Sequence, residues 1–170
     1  ALTMRLARLA GIEVPLHGLL RCVDGSLSYL VRRFDRLPGK KKLHVEDFAQ
    51  ITGESRSTKY DSSMEKVAEA LDCCTFPAVA RVELFKRCLF NFVTGNEDMH
   101  LKNFSIIYRN GKRELAPGYD LLNSVLIWRQ LGRPEKEIEE LALPLAGKKR
   151  KLTRKDWFDY YGRERLRLPD

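Results

Sequence analysis

The chain has 170 residues, a hydrophobic fraction of 44% and a formal net charge of +8. That length fits one domain, or one domain and a piece of another, with ample apolar material for a core. No apolar run approaches the roughly 18 residues of a membrane span, and no basic segment leading into an apolar one opens the chain as a secretory signal would. Residues 1–10 read as a helix, with Leu2, Leu6 and Leu9 at helical spacing and Gly11 as its stop. Two extended runs follow, 18–23 and 27–34, and Asp24-Gly25 between them is a hairpin signal. Leu27, Tyr29 and Val31 alternate with Ser28 and Arg32, the pattern of a half-buried strand.

Around Arg36-Leu37-Pro38-Gly39-Lys40 the texture turns to polar loop, and beyond it the chain is mainly helical. Residues 45–52 put Val45, Phe48 and Ile51 on one helical face, with Gly53 as terminator, and 54–61 read as loop. Ser62-Ser63-Met64-Glu65 reads as a capping box ahead of a stripe of Met64, Val67, Ala68 and Leu71. The strongest helix spans 78–94, with Val82, Phe85, Leu89, Phe92 and Val93 as its apolar face and Arg81, Lys86 and Arg87 elsewhere. A second hairpin, 103–108 with 113–116, is closed by Asn110-Gly111. Thr153-Arg154-Lys155-Asp156 opens a last helix holding Trp157, Phe158, Tyr160 and Tyr161, and 125–150 is mixed.

Cys22, Cys73, Cys74 and Cys88 show neither Cys-x-x-Cys nor disulfide-framework spacing. All four read as reduced thiols, which places the protein in the cytoplasm. Basic residues gather over 32–42 and again over 148–155, either as solvated loops or as a surface for nucleic acid or an acidic partner. Phe34 is the one aromatic residue within the runs, too few for a platform stacking single-stranded bases.

The chemistry concentrates in Asp98-Met99-His100-Leu101-Lys102-Asn103, directly after the long helix, with Asp120 on a turn seventeen positions later. Asp98 and Asn103 cannot share a helix face, because five steps leave them about 140° apart. On a loop they can fold back towards one point. That is the requirement of phosphoryl transfer, in which one carboxylate orients the acceptor hydroxyl and hard oxygens hold Mg²⁺. Asp98 suits the first task, and Asn103 with Asp120 suits the second. Lys102 can neutralise phosphate charge, and His100 can donate to a phosphate oxygen or brace the loop. Each residue also has a plainer reading: Asp98 as a turn residue, His100 as a structural group, Asp120 as a helix cap.

Residues 91–105, Asn-Phe-Val-Thr-Gly-Asn-Glu-Asp-Met-His-Leu-Lys-Asn-Phe-Ser, resemble the catalytic loop of the HipA-like serine/threonine kinases, the toxins of bacterial toxin–antitoxin pairs. Val-Arg-Arg-Phe-Asp-Arg at 31–36 resembles that family's hinge, 43–53 the helix after it, and 115–124 its metal-binding segment. The resemblance runs in order over roughly residues 1–155. It implies an α+β, protein-kinase-like fold: a mostly helical C-lobe with a catalytic-loop hairpin over 35–170, preceded by an N-lobe remnant of helix plus β-hairpin, with the hinge, over 1–34. It implies ATP and Mg²⁺, with Asp98 catalytic and Asn103 and Asp120 as metal ligands. Arg32, Arg33 and Phe34 would lie along the adenine, and His100, Leu101, Lys102 and Tyr119 near the nucleotide. It implies a protein substrate such as an aminoacyl-tRNA synthetase, and a helix-turn-helix antitoxin that binds DNA.

Two departures stand out. Arg32 occupies a hinge position where the family carries Glu. No Gly-rich phosphate loop or matching strand Lys exists in the chain, which begins with Ala1 and reads as a fragment inactive by itself. Two other functions fit the same features: a non-catalytic module that docks an antitoxin or nucleic acid, and a small-molecule kinase.

Overall fold

A computed structural model describes residues 1–55 and 57–169. Helix α1 (Leu2–Leu9) turns its Met4 and Ala7 inward and ends where Gly11 takes positive φ. Strands β1 (His17–Arg21) and β2 (Leu27–Val31) form an antiparallel hairpin with Leu19 opposite Tyr29. Its loop is longer than a two-residue turn. The Cys22 amide bonds the Ser26 carbonyl at 2.8 Å, and Asp24 Oδ1 accepts from the Ser26 amide and hydroxyl.

The half-buried pattern expected for β2 does not appear. Leu27, Tyr29, Leu30 and Val31 are all exposed, because among the described residues β1 and β2 pair only with each other.

The second sheet is built differently. Residues 45–52 do not form one helix. Strand β3 (His44–Asp47) pairs antiparallel with β4 (Ser105–Arg109), and helix α2 (Phe48–Thr52) begins only after Asp47. Asp47 caps α2 in a reciprocal box with Gln50, so its extended backbone divides a three-residue apolar spacing that strand and helix happen to share. Strand β5 (Lys112–Leu115) completes the three-stranded sheet β3-β4-β5. The turn between β4 and β5 is Asn110-Gly111 with φ of 52° and 73°, the left-handed pair that a two-residue hairpin requires.

Helix α3 (Met64–Glu69) is capped by Ser63, which accepts from the Lys66 amide, rather than by the box expected from Ser62 and Glu65. Glu65 instead accepts the Ala146 amide at 2.9 Å, a partner 81 residues away. Helix α4 (Pro77–Thr94) buries Ala80, Leu84, Arg87, Cys88 and Asn91. This face is rotated from the one expected: Val82 and Val93 are exposed, and Arg87 is inside. The rotation suits its neighbours, because Arg87 Nη2 donates to the Ala116 carbonyl at 2.8 Å and Asn91 bonds Asn96. Helix α5 (Ser124–Gln130) is capped by Asn123, not by Asp120. The last helix, Asp156–Arg165, is wound as a π-helix. Its Trp157 and Tyr161 are fully buried against Phe85 and Phe92, and the Tyr161 hydroxyl donates to the Met64 carbonyl.

One core joins these elements. Phe48, Leu71, Leu84, Leu101, Phe104, Ile106, Leu143, Leu145 and Leu166 meet between the β3-β4-β5 sheet and the helices. Burying each such side chain is worth about 1.5–3 kcal/mol. Among the described residues, no helix is long and apolar enough to cross a membrane.

Candidate active site

The loop after α4 is fastened before it reaches Asp98. Gly95 ends the helix at φ 69°, and a Cβ there would stand 3.2 Å from Val125 Cβ, so the backbone needs glycine twice over. Buried Asn96 accepts the Asp98 amide. The Glu97 amide donates to Ser124 Oγ at 2.8 Å, and the Glu97 carboxylate takes Arg133 Nη1 at 3.2 Å and the Glu139 amide at 2.9 Å. Asp98 then stands at the surface, accepting the Tyr60 hydroxyl on Oδ1 at 2.7 Å.

His100 is buried beside it. Its Nε2 lies 2.7 Å from Lys59 Nζ, and its ring meets Tyr60 edge-on at 5.0 Å. Burial, and next the Lys59 charge, hold its pKa below the ordinary histidine value. The ring is therefore neutral near pH 7 and accepts from the lysine ammonium. The charges of both Asp98 and Asp120 oppose that shift, so all three residues share one electrostatic neighbourhood.

Asn103 and Asp120 are in direct contact, Asn103 Nδ2 donating to Asp120 Oδ2 at 3.1 Å. The Asn103 carbonyl oxygen accepts the His100 amide at 3.1 Å, which fixes the side chain's orientation and leaves one lone pair on that oxygen. Asp120 is exposed at φ 58°, a left-handed conformation that aspartate tolerates better than most residues. The turn carrying it is set by Arg87 on Ala116 and by the Gly118 amide on the Glu13 carbonyl. Among the described residues no group of three or more His, Cys, Asp or Glu side chains converges on one point. Two side-chain oxygens nevertheless suit Mg²⁺, which keeps waters and takes phosphate oxygens for the rest of its shell.

A cleft of about 530 Å³ opens beside this loop. Arg32, Arg33, Phe34, Lys102, Ser105 and Tyr119 line it, with Leu43 and Val45 among its apolar residues. The Phe34 and Tyr119 rings are in contact, their centroids 5.6 Å apart. Arg33 grips Asp35 through two hydrogen bonds of 2.9 and 2.7 Å, and that bond with the paired charge holds the Asp35 carboxyl below the usual range. The Tyr119 hydroxyl donates to the Lys102 carbonyl and accepts from Ser105, and burial pushes it up to about 12. Lys102 Nζ is engaged by Asp47 at 2.6 Å.

Of the expected nucleotide residues, five line this cleft. His100 does not, and Leu101 is wholly buried in the core. Lys59, Tyr60, Asp47 and Glu97 join the site without having been foreseen. Asp47 carried a capping signal, Asp-x-x-Gln, whereas Lys59 and Tyr60 sit in a loop whose sequence gives no clue to what it touches. Parts of both basic runs are neutralised internally: Arg33 and Arg36 meet Asp35, Lys148 meets Asp156 and Lys149 meets Glu139.

Comparison with known proteins bears on the family and the fold. The HipA-like C-terminal domain model matches residues 1–168. The Sinorhizobium fredii protein Y4dM is 36% identical over 135 residues, covering 72% of this chain and 32% of its own. The serine/threonine-protein kinase toxin HipA of Shewanella oneidensis is 31% identical over 142 residues, covering 72% and 33%. The solved complex of Shewanella oneidensis HipA with HipB and operator DNA superposes with a TM-score of 0.79 at 26% identity, over 98% of this chain and 42% of that one. The chain thus spans about a third of the length of the curated relatives it matches. Its α+β fold is that of a HipA-type kinase, and the chain belongs to the HipA-like C-terminal domain family.

Proposed function

We propose that this chain carries the catalytic loop and metal site of an ATP- and Mg²⁺-dependent serine/threonine protein kinase of the HipA toxin type. The observation that carries the reading is the Asn103–Asp120 contact, 3.1 Å, beside a surface carboxylate at Asp98. In this reading residues 1–34 are the end of an N-lobe with the hinge, and 35–170 belong to the C-lobe.

Each residue then has a task. Asp98 Oδ2 accepts the hydrogen of an incoming Ser or Thr hydroxyl and aims its oxygen in line with the phosphoryl group. Asn103 Oδ1 and Asp120 hold Mg²⁺, which when bound offsets the phosphates' negative charge. Arg32, Arg33 and Phe34 would lie along the adenine, with Tyr119 near the nucleotide. His100, neutral and fixed by Lys59, braces the loop. Catalysis here is mainly positioning and electrostatics, since phosphoryl transfer asks little covalent chemistry of the protein.

Partners follow from relatives. The neighbouring structure holds HipA with HipB and operator DNA, which supports an antitoxin partner and, through it, DNA. An aminoacyl-tRNA synthetase is the proposed protein substrate, and the cytoplasm the proposed location. Residues 1–170 alone are expected to transfer no phosphate, because they hold no Gly-rich phosphate loop. The deciding experiment is Asp98→Asn in the full-length protein, expected to lower phosphotransfer by about 10²–10⁴-fold with nucleotide binding retained. Full activity in that variant refutes the assignment.

A further inference from the structure

We infer that Tyr60 and Lys59, on the loop between α2 and α3, are positioning residues that fix the plane of Asp98 and form the acceptor-side wall of the site. This rests on the kinase reading above.

Asp98 is an exposed carboxylate whose one side-chain hydrogen bond among the described residues comes from Tyr60, on Oδ1. The χ2 torsion of a free aspartate is broad. An unbraced Asp98 would therefore point its second oxygen in many directions. The Tyr60 hydroxyl removes that freedom and leaves Oδ2 for an acceptor hydroxyl. The ring itself is held by two neighbours that also bond each other. It stands edge-on to His100 at 82°, the Lys59 ammonium lies 4.8 Å from the ring centre, and Lys59 Nζ reaches His100 Nε2. The Leu101 amide also donates to the Lys59 carbonyl, at 3.4 Å. The 59–60 segment is thus joined to the catalytic loop by backbone, ring and side-chain contacts together.

Burial first, and the bond to Asp98 next, push the Tyr60 phenol up to about 12, so it remains a donor throughout the working range. Tyr60 as a whole is 40% exposed, so it is accessible from solvent beside Asp98. A hydroxyl at this place could instead act as a plug that substrate must displace. The ring's other contacts favour a fixed brace, and the two roles differ in sign.

The test uses the full-length protein with ATP, scoring ³²P transfer to itself and to dephosphorylated casein. Tyr60→Phe keeps the ring and removes the hydroxyl. Its kcat is expected to fall ten- to a hundredfold, the scale of a misplaced reacting group. KM for ATP and the melting temperature are expected to hold, since Tyr60 does not line the nucleotide cleft. Lys59→Met should lower kcat likewise, and Lys59→Gln, which still donates to His100, should restore most of it. An unchanged or raised kcat in Tyr60→Phe, with Asp98→Asn inactive, overturns this inference and leaves the kinase reading standing. Activity retained in Asp98→Asn, or no transfer by the wild type to either acceptor, overturns both.

Discussion

The two β-hairpins carry the same kind of turn signal and have opposite fates. Between β1 and β2 the Asp24-Gly25 loop closes a ribbon whose leucines at 19, 20, 27 and 30 all face solvent. Between β4 and β5 the Asn110-Gly111 turn closes a ribbon that gains β3 on its free edge and buries Ser105, Ile106 and Ile107. A two-stranded ribbon is marginal in water, and a third strand with a covered face makes it stable. Turn chemistry therefore fixes where a chain reverses, and only the surroundings decide whether the reversal is anchored. The cleft lies where the chain leaving the loose hairpin meets the firm one, with Phe34 after the first against Tyr119 beyond the second.

The sharpest way to break this contrast is to truncate one leucine-sized side chain in each. Ile106→Ala should cost about 2–5 kcal/mol in chemical denaturation, as buried truncations do. Leu19→Ala, at 55% exposure, should stay within about 0.5 kcal/mol. Equal costs would mean the first hairpin is covered after all. Next in size, Gly111→Ala forces a Cβ into φ 73° and should lower global stability by about 1–2 kcal/mol. Gly25→Ala at φ 82° carries the same local strain, yet it should appear only as faster amide exchange within β1 and β2, because that ribbon opens by itself. Phe34→Ala probes the junction: nucleotide affinity in the full-length protein should fall about tenfold by calorimetry, the loss of roughly 1.4 kcal/mol.

The smallest effect is a titration in the first loop. The Ser26 hydroxyl, and then its amide, hold the Asp24 carboxyl below its ordinary value. A depressed folded value means the brace is complete above the unfolded aspartate pKa of about 3.9 and disappears as pH falls through the lower folded one. The Ser26 amide resonance should move in that acid window, and Asp24→Asn should remove the movement.

Much of this was legible in the residues. Both hairpins, the long helix with its glycine stop, and the order of Asp98, Asn103 and Asp120 follow from turn signals, helical spacing and motif order. Boundaries failed where one spacing served two structures. Val45, Phe48 and Ile51 fit a helix by period, and Asp47's extended backbone splits them. The face of α4 failed because hydrophobicity alone ranks Val82 above Arg87, whereas the buried guanidinium is held by the Ala116 carbonyl, a partner no local pattern discloses. Lys59 and Tyr60 were invisible for the same reason: their partners lie 41 and 38 residues away.

Glu97 has a consequence for the order in which the site comes into being. Its carboxylate is satisfied by Arg133 and by the Glu139 amide, and its own amide by Ser124. During synthesis the Asp98 loop leaves the ribosome well before any of those three. Until they follow, Asp98 adjoins a carboxylate with nothing to hold it, and the loop has no reason to adopt its final shape. Domains fold largely as units while the chain grows. Competence thus comes late, after the last of its anchors has emerged, and a ribosome stalled before residue 139 would carry the complete motif without an assembled site.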